Sequence, residues 1–327
     1  MTASRQDQAP LRRAKGRPSP RAVLRTVLLL ALLVFLGMAL ADRWQEVRPQ
    51  LGRLSPVAVG GAALAVLSGL WCTFLTWRAL LADLGFPLSP AGGARVFFLG
   101  QLGKYVPGSV WPALAQMELG RDYRVPARAS GAAVIVFMML TTGVGLLVAV
   151  VTIPLLGAAA YGRYLWVLAM LPALLVVLHP RVLNRLLAIT LRVIRRDPLP
   201  ASLTGRGIVH ATGWAAGSWV LFGLHAWLLA RDLGSTASYL AVTGAFAGAL
   251  TVGFLLVLAP AGAGVREAVL VLLLSPSMPA GAAVAVAITS RLLFTAGDAA
   301  WAALGATAGR AALPHGRSGT PAPRPDA

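Results

Sequence analysis

Apolar positions along this chain come in long blocks, not in the narrow stripes or alternations of a soluble domain. A helix needs about 20 apolar residues to cross a bilayer. Runs of that kind fall at 22–41, 55–77, 129–153, 161–178, 207–230, 238–258 and 281–308. They predict an all-α, polytopic transmembrane helix bundle of about seven spans. Residues 1–20 are polar, basic and proline-bearing and read as a disordered arm. Residues 310–327, with Pro314, Pro321, Pro323 and Pro325, read as a disordered tail, leaving 21–309 as one transmembrane domain. Between the fourth and fifth runs, residues 182–196 (VLNRLLAITLRVIRR) place Leu183, Leu186, Leu187, Thr190, Leu191 and Ile194 on one helical face. Arginines take the other face, which predicts an amphipathic helix on the inner leaflet or a plain cytoplasmic connector.

Composition narrows the class further. The chain is 57% apolar and 12% charged, whereas soluble domains run at about 45–50% and about 25%. A net charge of +18 would suit nucleic acid if it were gathered on one domain. Instead the cations lie in the N-terminal arm and between spans, where they follow the positive-inside rule and meet anionic lipid headgroups. The arginine-rich arm, 78–128 and 179–206 place the N-terminus in the cytoplasm of a multi-pass cell-membrane protein. The loop at 42–54 departs from the rule, with Arg43, Arg48 and Arg53 partly offset by Asp42 and Glu46. Seven spans place the C-terminus outside, against the positive charge of Arg310, Arg317 and Arg324. The first run ends in Ala39-Leu40-Ala41, which is similar to a signal-peptidase site, but the many spans that follow favour a retained helix. Cys72 is alone, so no disulfide framework exists. No metal-ligand cluster, HExxH or Walker A motif occurs, and no cofactor is expected.

Two segments do not fit as ordinary spans. They are 91–118 (AGGARVFFLGQLGKYVPGSVWPALAQME) and 259–277 (APAGAGVREAVLVLLLSPS). Each joins a Gly/Pro bend to apolar stretches too short to cross, which predicts re-entrant broken helices. Each also follows two spans and precedes one. Interrupted helices at matching places in two halves point to an internal repeat and to a transporter's binding site, although sequence identity between the halves is negligible.

In the first segment Pro107-Gly108 interrupts the helix. Ser109 is placed to cap a new helix beginning near Val110, whose free N–H groups and dipole favour an anion. Lys104 lies one turn upstream, and Tyr105 and Trp111 suit the boundary between headgroup and tail. The bland alternative is an interfacial loop whose lysine snorkels to water. In the second segment Pro260, Gly262 and Gly264 open a helix at Val265-Arg266-Glu267. Glu267 suits the dipole of that first turn, while Arg266 opposes it and calls for a partner. The last span holds Arg291 and Asp298 two turns apart on one face, either as an ion pair or as a substrate or proton site. Glu118 falls at the cytoplasmic rim, and His210 and His225 read as structural. Gly213/Gly217, Gly244/Gly248 and Gly305/Gly309 allow close helix crossing.

QLGKYVPGSVW followed by PAGAGVREAVL resembles the paired signatures of the lysylphosphatidylglycerol synthase transmembrane region, a flippase-like family. Lys104, Tyr105, Pro107, Gly108, Val110 and Trp111 carry the first signature. Pro260, Gly262, Gly264, Arg266 and Glu267 carry the second. Ser109 stands where relatives often have Gly or Lys. The resemblance implies a module that moves an aminoacylated phospholipid between leaflets, in synthases whose separate cytosolic domain makes that lipid. Nothing beyond residue 308 reads as that domain, so lipid synthesis is not expected here. Stand-alone members near polyprenyl-lipid systems leave the cargo open, as an anionic or aminoacylated phospholipid or a polyprenyl-linked lipid. The resulting expectation is a lipid transporter, not an enzyme, that works beside a separate lipid-modifying enzyme. Lys104 and Arg266 would hold the phosphate, with Ser109–Trp111 N–H groups, Glu267, Arg291 and Asp298 around them. A membrane enzyme acting on lipid or glycolipid and a scaffold of an envelope-assembly complex are the competing classes.

Overall fold

The computed structural model describes residues 44–106, 110–152, 172, 176, 179–193, 202–255 and 264–311. The expected first span, nearly all of the expected fourth, and Pro107, Gly108, Ser109, Pro260 and Gly262 lie outside the described residues. The described residues are all helical or in short connections, with no strand among them. The helices are α1 (Trp44–Arg53), α2 (Pro56–Asp83), α3 (Pro90–Gln101), α4 (Trp111–Arg121) and α5 (Ala127–Thr152), then α6 (Pro180–Val193), α7 (Gly205–Asp232), α8 (Tyr239–Leu255), α9 (Val265–Leu274) and α10 (Ala280–Ala311), with a 3-10 turn Leu102–Tyr105 between α3 and α4. By length and composition α2, α5 and Ala280–Gly309 of α10 can each cross a membrane. Val57, Leu64, Val209, Leu272 and Leu292 stand exposed around the bundle, as a lipid solvent allows. Residues 42–54, read from sequence as a loop, contain α1, which buries Val47 and approaches α10 at Gly281.

A pair of antiparallel helices, α2 and α7, forms the axis of the fold, and each is 28 residues long. Ser55 caps α2 by accepting from Ala58 N–H, and Thr204 caps α7 by accepting from Gly207 N–H. Each cap is also bound by the acidic last residue of the other helix. Ser55 donates its N–H and hydroxyl to Asp232 at 2.7 and 2.9 Å. Thr204 does the same to Asp83 at 2.7 and 2.8 Å. Both helices then stop in the same way, at Leu84-Gly85 with Gly85 φ +90° and at Leu233-Gly234 with Gly234 φ +85°. That left-handed backbone favours glycine.

The correspondence continues along the chain. Ser89 caps α3 by accepting from Gly92 N–H, and Ser238 accepts from Ala241 N–H at the start of α8. The carbonyls of Pro126 and Pro279 open α5 and α10 alike, each accepting from the third and fourth residues after it. Leu70 of α2 packs on Gly297 of α10, and Trp219 of α7 packs on Gly145 of α5. The units α2–α5 and α7–α10 thus repeat one order of caps, helices and turns, with α2 and α7 running in opposite directions.

Each repeat contains a helical hairpin. In the first, Gly103 lies so close to Trp111 and Pro112 that a Cβ there would meet their backbone at 2.8 Å. In the second, a Cβ on Gly253 would meet Arg266 at 3.0 Å. The α8–α9 hairpin returns to the end it left: Thr236 N–H donates to the Ser277 carbonyl, and the Ser235 and Ser277 hydroxyls are 3.1 Å apart. The stretch 238–258, expected as a sixth span, is thus largely the first arm of this hairpin, and α9, within the re-entrant segment expected at 259–277, is the second. The α3–α4 hairpin also returns to its origin, where Tyr123 lies against Gly92 and Arg95 faces Asp122 at 4.0 Å. That origin follows Asp83, whereas the α8–α9 hairpin follows Asp232. The two hairpins open at opposite ends of the α2–α7 pair.

The connector α6 buries Leu183 and Leu187 and exposes Arg181, Arg185 and Arg192. Its Asn184 holds Leu203, just before α7, through two backbone hydrogen bonds. Residues 194–196 of the expected connector lie outside the described residues.

Candidate functional site

Both hairpin tips meet α10 along one stripe. Ser290, Phe294 and Asp298 recur every four residues, with Arg291 beside them. At a rise of about 1.5 Å per residue the stripe is about 12 Å long.

The first tip docks at its far end. Lys104 Nζ lies 2.6 Å from Asp298 Oδ2, and the Tyr105 hydroxyl donates to the same oxygen at 2.6 Å. Asp298 is nearly sealed at 4% side-chain exposure, while Lys104 keeps 30%. A carboxylate shared by an ammonium and a phenol in so dry a place is a strong, charge-assisted contact. It joins the 3-10 turn to α10. The helix that follows begins at Trp111 with Val110 at the N-cap, one residue later than the Ser109 cap expected from sequence, and Val110 makes no side-chain cap. Pro112 occupies the first turn, where a missing N–H costs nothing.

The second tip docks nearer the start of α10. Gly264, at φ +87°, turns the chain into α9, and Glu267 reaches back to accept its N–H at 2.6 Å. This is half of a capping box, and it points the Glu267 carboxylate toward Arg291, 3.5 Å away. Arg266 is buried, at 6% exposure. Its guanidinium lies 5.0 Å from the Phe246 ring centroid and 4.7 Å from that of Phe294. It donates to Ser290 Oγ at 3.1 Å. Ser290 in turn contacts His225 Nε2 at 2.9 Å, and His225 Nδ1 contacts the Phe222 carbonyl. A carbonyl only accepts, so Nδ1 carries the proton and Nε2 accepts from the Ser290 hydroxyl. The serine lone pairs are thereby turned to Arg266.

Arg291 and Asp298 share a face as the sequence implied, but each is matched to a different hairpin and not to the other. The structure brings Lys104, Tyr105 and Asp298 together at one docking point, and Arg266, Glu267 and Arg291 at the other. Trp111 is half exposed at the start of α4. Glu118 is exposed and pairs with Arg121. His210 accepts from the indole of Trp214, a local contact. Sequence reasoning missed Ser290, Phe246 and Phe294 and gave His225 a merely structural part. Their signal was faint: a serine and a phenylalanine in register with Asp298 on the last helix.

The electrostatic sum is uneven. Among the described residues Lys104 pairs with Asp298 and Arg291 with Glu267, and no carboxylate lies within 4.0 Å of Arg266. Among the described residues no group of acidic, histidine and cysteine side chains could hold a metal ion. No curated protein matches the chain. The profile of the lysylphosphatidylglycerol synthase transmembrane region matches residues 22–300. With its apolar crossing helices and two docked hairpins, the chain belongs to that family, membrane proteins associated with lipid metabolism or transport.

Proposed function

We propose that this protein moves the anionic headgroup of a lipid between the leaflets of the cell membrane. One observation carries the reading: a buried arginine, Arg266, has aromatic faces and a serine for partners where a carboxylate would be the ordinary choice. An ionisable side chain buried in a membrane bundle is costly and by default marks a functional site. A phosphate entering between the hairpins would neutralise the surplus positive charge, with Arg266 as a planar fork and Lys104 as a point charge. Tyr105 and Trp111 suit the headgroup boundary, and Arg291, Glu267 and Asp298 shape the polar passage. Acyl chains would stay in lipid beside the exposed apolar surface.

The cargo is a phospholipid, an aminoacylated phospholipid or a polyprenyl-linked lipid, supplied by a separate lipid-modifying enzyme. Transport fits better than catalysis, because Glu267 and Asp298 are both held by cations and are poorly placed to pass protons to a substrate. In vesicles of phosphatidylglycerol and a neutral lipid, the purified protein should speed exchange of labelled phosphatidylglycerol between leaflets. Lys104→Ala and Arg266→Ala should abolish that exchange while the protein remains monodisperse. Exchange at the unaltered rate in both variants would rule the reading out.

A further inference from the structure

We propose that the two hairpins are opposed gates: α3–α4 closes the site from the cytoplasmic face and α8–α9 from the opposite face, each latched to α10 by its own ion pair. The reversal of axis between the repeats carries the sidedness. Asp83 and Thr204 mark one end of the central helix pair, and Ser55 and Asp232 mark the other. At the Asp83 end lie the roots of α3–α4 and the end of α10, where Tyr123 donates to the Gly309 carbonyl. At the Asp232 end lie the roots of α8–α9 and the start of α10, next to α1.

Positive charge chooses between the faces. Arg121, Arg124, Arg128, Arg206 and the exposed arginines of α6 gather at the Asp83 end, which makes it cytoplasmic. Because α8–α9 does not cross, α10 runs back toward the cytoplasm and ends there. The conflict between a seven-span count and the basic residues after 309 disappears.

The latches follow from the contacts. Lys104 and Tyr105 hold the first hairpin to Asp298, and Glu267 holds the second to Arg291. With both closed, Ser290 between them is fully buried, and Arg266, which donates to it, is buried as well. A ligand reaches Arg266 only when one latch releases, and release of either admits water from one face alone. Inverted repeats with half-crossing helices are suited to such alternation. The latch function rests on the transport reading; the sidedness does not.

The test uses the full chain with Cys72→Ser and single cysteines, probed with a membrane-impermeant maleimide in right-side-out and inverted vesicles. Arg121→Cys and Ser275→Cys, at the roots of the two hairpins, should label from opposite faces. Ser290→Cys should be silent alone. It should react several-fold faster from the Arg121 face when Asp298→Asn is added, and from the Ser275 face when Glu267→Gln is added. If either added change prevents folding, Lys104→Met or Arg291→Met releases the same latch. Labelling of both roots from one face, reactivity gained on one face by both releases, or none gained by either in folded protein would each overturn the proposal. Opposed gating without lipid exchange would sink the transport reading and leave the gates standing.

Discussion

The two hairpins have one plan and two chemistries. The α3–α4 tip brings a lysine to a buried aspartate and stays partly wet. The α8–α9 tip brings an arginine into an aromatic box and leaves its ion pair, Glu267–Arg291, to the neighbouring residue. The same backbone device, a glycine that lets two short helices touch, serves both. The difference teaches that the repeat fixes where the hairpins sit, while the side chains at their tips decide what each holds. A flexible ammonium can follow a moving partner. A planar guanidinium between rings is fixed in place.

That contrast can be broken most severely at Asp298. Asp298→Ala leaves an ammonium and a phenol without their shared acceptor and should cost about 3–5 kcal/mol of stability, read as a lower unfolding midpoint in detergent. The matching test on the other side is Arg266→Lys. It keeps the charge but loses the stacked faces, and about 2 kcal/mol should go, with Lys104→Arg changing much less. The symmetry itself is sharpened by Ser55→Ala and Thr204→Ala. Each removes a cap and one bond to the opposite helix and should cost about 1 kcal/mol, and the two losses should be alike within error. Glu118→Gln, on the exposed Arg121 pair, should shift stability by less than about 0.5 kcal/mol. A larger shift there would mean that this exposed rim matters more to folding than the tips do.

Much of this was legible in the sequence, for identifiable reasons. Of the residues read as bends, Gly264 turns the chain at φ +87°, and it was legible because glycine acts on the backbone directly. Lys104, Arg266, Arg291 and Asp298 stood out because charge in an apolar run is costly. The pairing among them was not legible, since i to i+7 spacing on α10 suggested a partner within the helix and the true partners come from the hairpins. The repeat was legible only as a layout of interrupted helices, and its residue signature went unread. Its signature is a polar cap, a long helix and Asp-Leu-Gly, at Ser55 and Asp83-Leu84-Gly85 and again at Thr204 and Asp232-Leu233-Gly234. The residues between are interchangeable apolar ones that leave no identity to detect. The non-crossing path of α8 was masked for a similar reason, because hydropathy counts length and not direction.

The crossed capping of α2 and α7 limits which part of the molecule can do the moving. Sliding one of these helices along the other by a single turn, about 5.4 Å, would break the serine and threonine contacts at both ends together, so neither end can give way by stages. The pair behaves as a stator. In the transport proposed above, motion would be a swing of shorter pieces about this strut, with the strut keeping its length and register.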